Sequence, residues 1–260
     1  MSESSESWIV YEQPLGERVR TMLRLEHLFS RISTMMPSHE TWGSRIAVES
    51  LIDVLAVIGR TDIRKELVKE LERHTATMEA LQVNPNVDPR KLGQVLEELN
   101  TTLTELKGTD AGFGQELRND ELVNAVRQRS SMPAGTCDFD LPAYHYWLSQ
   151  PPELRQQDLS YWNRSFDLLR RAVALCLHLV RSSGGASSEI ATGGFFQRSL
   201  ESATPCQMIR VRVPFELEAF PEISAGRHRF TVRFMCQQNT AERPLQTDFD
   251  VQFVLSCCFI

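Results

Sequence analysis

The chain has 260 residues, enough for one large domain or two modest ones with buried cores. Apolar residues make up 42% and charged residues 24%, the balance of a soluble globular protein. The formal charge of -6 argues against a general nucleic-acid or anionic-membrane binder, which carries a positive excess.

Residues 1–7 (MSESSES) have the composition of a disordered tail. Trp8 to Glu12 is a short β-prone run, and Pro14 is suited to open a helix at its first position, where a missing N–H costs nothing. Val19, Met22, Leu23, Phe29, Ile32 and Met36 then recur at helical spacing, with Glu17, Arg18, Arg24 and Arg31 on the other face. A second helix is predicted from about Ser44 to Ile58, stopped by Gly59. A third has Thr61 as its N-cap and Ile63, Leu67, Leu71, Met78 and Leu81 as its stripe. Asp88-Pro89 starts a fourth, with Leu92, Val95, Leu96, Leu99 and Leu103 facing inward. Helices with such short links pack as an antiparallel bundle.

Residues 108–119 form a Gly-containing link, after which Asp120 caps a short helix through Arg129. The segment from Leu122 to Leu148 is the least generic in the chain. It breaks at Met132-Pro133-Ala134-Gly135 and gathers Cys137, Asp138, Asp140, Tyr144, His145, Tyr146 and Trp147 in one connector. Asp140 is expected to cap the helix that Pro142 opens. A long helix from Ser165 to Arg181 is apolar on nearly every side, so Leu168 to Val180 is a candidate for burial or for a subunit interface.

Residues 182–194 (SSGGASSEIATGG) read as a linker or loop. Beyond them the period becomes two. A strand begins at Phe195-Phe196. Ile209, Val211 and Val213 alternate with Met208, Arg210 and Arg212. Phe230, Val232 and Phe234 alternate with Arg229, Thr231, Arg233 and Met235. Phe249, Val251 and Phe253 alternate with acids and Gln252. These are half-buried antiparallel strands, and the Trp8 run is expected to join their sheet. The predicted class is α+β: a mainly helical bundle domain over 14–183, and a smaller antiparallel sheet from 8–13 plus 190–255.

Several chemistries can be weighed on residues alone. Cys137 and His145, with Asp138 or Asp140 as orienter, could form a thiol hydrolase-type site, although no surrounding signature or oxyanion hole accompanies them. No metal-ligand spacing, cofactor motif or phosphate loop is present, so no metal and no cofactor are expected. Arg229 and Arg233 share one side of a strand, beside Arg227 and His228. They form either a positive binding strip, for nucleic acid among other partners, or a solvated face paired with Asp248 or Asp250. The six cysteines lack C-x-x-C spacing, and there is no basic-then-apolar leader and no apolar run of roughly 20 residues. Free thiols in a reducing cytoplasm are expected. Lysine occurs only at Lys65, Lys69, Lys91 and Lys107, and every other cation is Arg, the residue that forks onto carboxylates and stacks on rings.

Four segments in order, YEQPLGERVRTMLRLEHL, DIRKELVKELERH, NDELVNAVRQRSSMPAGTCDFDLPAYHYWL and PEISAGRHRFTVRF, give the chain its resemblance to the ZapD family of bacterial cell-division proteins. Together they extend over almost the whole chain. VRQR, C-x-FDLP and the HxWL ending are specific, because no helix or strand period forces them. The resemblance implies a non-enzymatic cytoplasmic homodimer at the mid-cell division site. It implies that the dimer binds the C-terminal tail of FtsZ and cross-links FtsZ filaments into bundles, with no nucleic acid and no membrane insertion. By the same resemblance the tail-binding positions are Arg24, Arg60, His145, Arg229 and Arg233. The sequence departs from the family at Glu121, where members can carry a basic residue.

Overall fold

The computed structural model describes residues 8–109, 112–200, 205–226 and 228–259. The tail expected over 1–7, and Arg227, lie outside them. The class is α+β, with two compact units. One comprises Thr21–Cys176, and the other joins the chain before Thr21 to everything from Leu177 onward.

The helical unit begins within α1 (Glu17–Met35) and continues through α2 (Thr41–Ile58), α3 (Ile63–Ala80), α4 (Pro89–Gly108), α5 (Gln115–Asn119), α6 (Glu121–Arg129), α7 (Pro142–Leu148), α8 (Pro152–Arg164) and the first part of α9 (Asp167–Ser182). The core face of α1 is Val19, Met22, Leu25, Leu28, Phe29 and Ile32, all buried. Each such side chain contributes about 2 kcal/mol on leaving water. Asp88 caps α4 as predicted, accepting from the Arg90 and Lys91 amides with Pro89 at the first helical position. The start of α3 differs from prediction. Asp62 rather than Thr61 is the N-cap, its carboxylate accepting from the Lys65 amide. The inner face of α4 turns away from Val95 and Leu103 toward Thr102 and Leu106.

Two further expectations are corrected. Pro14 does not open α1. It ends strand β1 (Trp8–Pro14), where it lies opposite Met208. Asp140 does not cap α7. The N-cap is Leu141 with no side-chain bond, and Asp140 pairs with Arg129 at 3.3 Å. For α9 the structure takes the first of the two alternatives, burial within the chain. Leu169, Ala172, Val173, Leu175, Cys176, Leu177, Leu179 and Val180 are already buried within one chain, and only a strip through Arg171, Ala174 and His178 is exposed. Its apolar surface is therefore spent inside the protomer.

The second unit is built on two antiparallel sheets. One has the order β1-β4-β8-β2, with β4 (Met208–Pro214), β8 (Val251–Cys258) and β2 (Ala186–Ala191). The other runs β3-β6-β5, with β3 (Phe195–Ser199), β6 (Arg229–Cys236) and β5 (Phe220–Ala225), and the two-residue β7 (Leu245–Gln246) pairs with β6. Their inner faces share one core of Ile209, Val211, Val213, Phe230, Val232, Phe234, Val251, Phe253 and Leu255. The ring of Phe253 packs edge-on against Phe196 and tilted against Phe234, both at 5.2 Å. Strand alternation predicts this layer correctly. It fails at β2, which the Gly/Ser composition disguises as a linker, and at Phe249, which is exposed ahead of β8. Gly193 and Gly194, both at positive φ, turn β2 into β3. A Cβ on Gly194 would fall 2.2 Å from the Thr247 hydroxyl, so only glycine fits there.

Glu12 on β1 is the electrostatic centre of this unit. Arg181 of α9 grips it with two bonds of 2.8 and 2.7 Å, and Arg210 of β4 adds a third at 2.8 Å. Burial penalises the charge on Glu12. The two guanidiniums outweigh that penalty and hold its pKa below the usual carboxylate value.

Candidate functional site

The connector after α6 is a chain of tight turns. Met132 N–H donates to Arg129, Gly135 to Met132, Cys137 to Ala134 and Asp140 to Cys137. Ala134 takes a left-handed conformation at φ 56°, and a Cβ on Gly135 would lie 2.6 Å from the Arg129 carbonyl. The connector is thus folded to one shape. Beneath it, Tyr144 stacks on Trp147 at 5.7 Å and Trp147 packs on Trp162 at 5.6 Å. The two indole N–H groups donate to Asp158 and Asp120, at 2.8 and 3.0 Å. Burial pushes the Tyr144 hydroxyl pKa up, so it stays protonated.

Asp120 serves twice. One carboxylate oxygen caps α6 at the Val123 amide (2.9 Å), while the other takes the Trp162 indole. Asp120→Ala is expected to lower stability by about 2 kcal/mol, from a lost cap and a lost hydrogen bond to a charged acceptor. A urea unfolding midpoint unchanged from wild type would contradict this dual role.

Two arginines that sequence patterning did not single out organise the connector. Arg45 of α2 lies 5.4 Å from the Trp42 ring and 5.2 Å from the Tyr144 ring, donates to the Thr136 carbonyl at 3.1 Å, and approaches Asp138 at 3.7 Å. Asp138 in turn holds His145 Nδ1 at 2.9 Å. Arg155 of α8 is buried and donates to Ser44 Oγ and to the carbonyls of His39, Leu148 and Gln150. Neither residue belongs to a motif. The only sequence signal was an Arg three residues after Trp42, which is ordinary on a helix.

Around Arg45 opens a cleft of about 830 Å³, lined by Trp42, Arg45, Glu49, Met132, Cys137 and Phe139. Trp42, Met132 and Phe139 are exposed there, as is Tyr146 on α7. A second cleft of about 540 Å³ lies at the turn between α2 and α3. Arg64, Lys65, Phe113 and Arg118 line it, and Arg64 stands 5.3 Å from the Phe113 ring. Arg60 immediately precedes Thr61 on its rim and is exposed.

The five residues implied by the family resemblance divide between the units. Arg24 lies on the exposed side of α1, Arg60 just beyond α2, and His145 on α7, all in the helical unit. Arg229 and Arg233 are exposed on the outer face of β6 in the other. Their neighbours differ from the pairing considered with Asp248 or Asp250. Arg229 is opposite Ser199, and Arg233 is opposite Phe195 on one side and Glu222 on the other. Asp250 instead accepts the Gly193 amide. Among the described residues neither Arg229 nor Arg233 makes a side-chain hydrogen bond or ion pair, and the exposed Phe195 supplies an apolar surface beside Arg233. Asp138 takes the orienting place on His145 Nδ1 that the thiol-site reading gave it, but among the described residues no hydrogen bond joins Cys137 to His145. No helix among the described residues is long and apolar enough to cross a membrane.

Comparison with known proteins adds an independent line. The family model described as "ZapD: Cell division protein" matches residues 23–233. The cell division protein ZapD of Methylococcus capsulatus is 39% identical over 252 residues, covering 97% of this chain and 98% of that protein. That of Cupriavidus pinatubonensis is 38% identical over 251 residues, covering 96% and 99%.

Proposed function

The chain belongs to the ZapD family of cell division proteins, and on that premise we propose that it binds the C-terminal tail of FtsZ and bundles FtsZ filaments. In this reading the protein works as a cytoplasmic homodimer at the mid-cell Z-ring and performs no catalysis. The observation that carries the reading is the near full-length match to ZapD proteins. The site chemistry supports it. Exposed arginines on α1 and beside the α2–α3 cleft in one unit, and on β6 in the other, are each suited to fork onto carboxylates of an acidic segment. Phe195, Trp42 and Phe139 offer apolar anchors. A dimer holding two tails turns individually weak contacts into filament cross-links by raising the effective concentration of the second tail. The thiol hydrolase alternative has its orienter, Asp138 on His145 Nδ1, but among the described residues no hydrogen bond joins that histidine to Cys137.

The test is sedimentation and light scattering of FtsZ polymers with this protein, using intact FtsZ and FtsZ lacking its tail. Bundling is expected only with the intact tail, and no bundling at low salt would overturn the proposal. Arg229→Glu combined with Arg233→Glu is expected to weaken tail-peptide binding by about tenfold or more, roughly 1.4 kcal/mol. The fold should persist, because both side chains point away from Phe230, Val232 and Phe234. Unchanged affinity would remove β6 from the site.

A further inference from the structure

At one end of the paired sheets the inner layer changes character. The inward positions of β2 and β3 there carry Glu189 and Arg198, opposite Phe253 and Phe230 respectively, and these two side chains form an ion pair of 2.6 Å between the sheets. Arg198 also lies 5.3 Å from the Phe196 ring. Next to them the inward side chain of β8 is Cys257, opposite Ile209 of β4. Cys206, on the lead-in to β4, completes the cluster. Its thiol contacts the Met208 carbonyl at 3.5 Å, and it belongs to the core against which Cys257 packs, where the two thiols and Arg198 act on one another electrostatically. A charged pair facing into a sandwich adds little to packing, whereas a guanidinium near one of two neighbouring thiols is the setting that makes a thiolate reactive.

We propose that Cys206 and Cys257 form a redox modification site, oxidised to an intramolecular disulfide by a low-molecular-weight disulfide. The roles of the two sulfurs are unequal. The interaction with Cys206 and the charge of Arg198 favour the thiolate at Cys257, bringing its pKa down to about 7, while the same interaction and burial push Cys206 up. Cys257 is also the more accessible of the two. Its thiolate attacks one sulfur of the small disulfide. The reagent's S–S bond breaks, one reagent thiolate leaves and takes up a proton, and a mixed disulfide forms at Cys257. The Cys206 thiol then gives up its proton, and its sulfur attacks Cys257 Sγ and expels the second reagent thiolate. Two protein thiols are oxidised, and one reagent disulfide is reduced to two thiols. Cys258 does not compete, because its side chain leaves the strand on the opposite face and is fully buried. The new bond would tie the end of β8 to the lead-in of β4.

The experiment treats the folded full chain with oxidised glutathione at neutral pH and reads intact mass and a non-reducing peptide map. Wild type is expected to lose about 2 Da and to yield one peptide pair linked through Cys206 and Cys257, reversed by dithiothreitol. Cys206→Ser should stop at the mixed disulfide and gain one glutathionyl group at Cys257. Cys257→Ser should gain neither. Alkylation of wild type by iodoacetamide at pH 7 should modify Cys257 about tenfold faster than Cys206. A link through another pair, no mass loss, or a Cys206→Ser chain unmodified at Cys257 would overturn the proposal.

Discussion

Arg155→Ala is expected to destabilise the protein by about 4 kcal/mol, the largest loss for any single polar side chain considered. Arg155 is 3% exposed, and its guanidinium donates four bonds of 2.6 to 3.1 Å. Three of its acceptors are main-chain carbonyls: one just before α2 and two at the end of α7. Alanine would leave those carbonyls without a donor and a cavity where the side chain packed, and both costs add. Lysine restores the charge but not the planar fork, so Arg155→Lys should fall between alanine and wild type. Urea unfolding followed by tryptophan fluorescence measures the series. A loss below about 1 kcal/mol for alanine would show that solvent enters and satisfies the carbonyls. Because Arg155 sets the end of α7 against the entry of α2, the geometry of the Trp42–Arg45 cleft depends on it.

Glu12→Gln is the second large effect, about 3 kcal/mol, since it leaves Arg181 and Arg210 converging on a neutral group. The same clamp makes stability depend on pH in a defined direction. Folded Glu12 ionises below the ordinary glutamate value of 4.5, so the unfolded chain binds this proton at a higher pH than the folded one. The stabilisation is therefore complete above that ordinary value and is lost as pH falls through the folded pKa. Between about pH 5 and pH 3 the wild-type unfolding free energy should drop more steeply than that of Glu12→Gln. Parallel curves for the two proteins would mean that Glu12 is not the group responsible.

Much of this architecture could be read from one sequence because burial imposes a period. The alternation of Phe230, Val232 and Phe234 followed from that, as did Val19, Met22, Phe29 and Ile32 of α1, though Leu25 and Leu28 rather than Leu23 and Met36 complete its buried face. The Asp88-Pro89 start followed from capping chemistry. What escaped reading shares a different cause. The strand β2 is Ala-Ser-Ser-Glu-Ile-Ala, and its ladder with β8 is made by main-chain groups that side-chain composition does not report. Arg155 and Arg45 work by reaching residues distant in sequence, Arg155 as far as His39 and Arg45 as far as Thr136, and no local pattern encodes such a contact. Within α3, Glu70 and His74 are fully buried although they look like part of a solvated charged face. The site residues were named by resemblance rather than by periodicity. Their exposure on separate elements follows from the fold.

The pairing of β1 with β4 has a consequence for biosynthesis. During translation the helices between Thr21 and Cys176 have all their partners within reach soon after they emerge. Trp8–Pro14 does not, because its ladder partner is Met208–Pro214 and the next strand inward is Val251–Cys258. The first strand made must wait for one of the last, leaving Ile9 and Tyr11, which pack against the sheet core once folded, uncovered on an unpaired edge throughout that interval. The nascent chain should therefore acquire protease resistance in two stages: first across the helices, and then, only after β8 has left the ribosome, across the sheets.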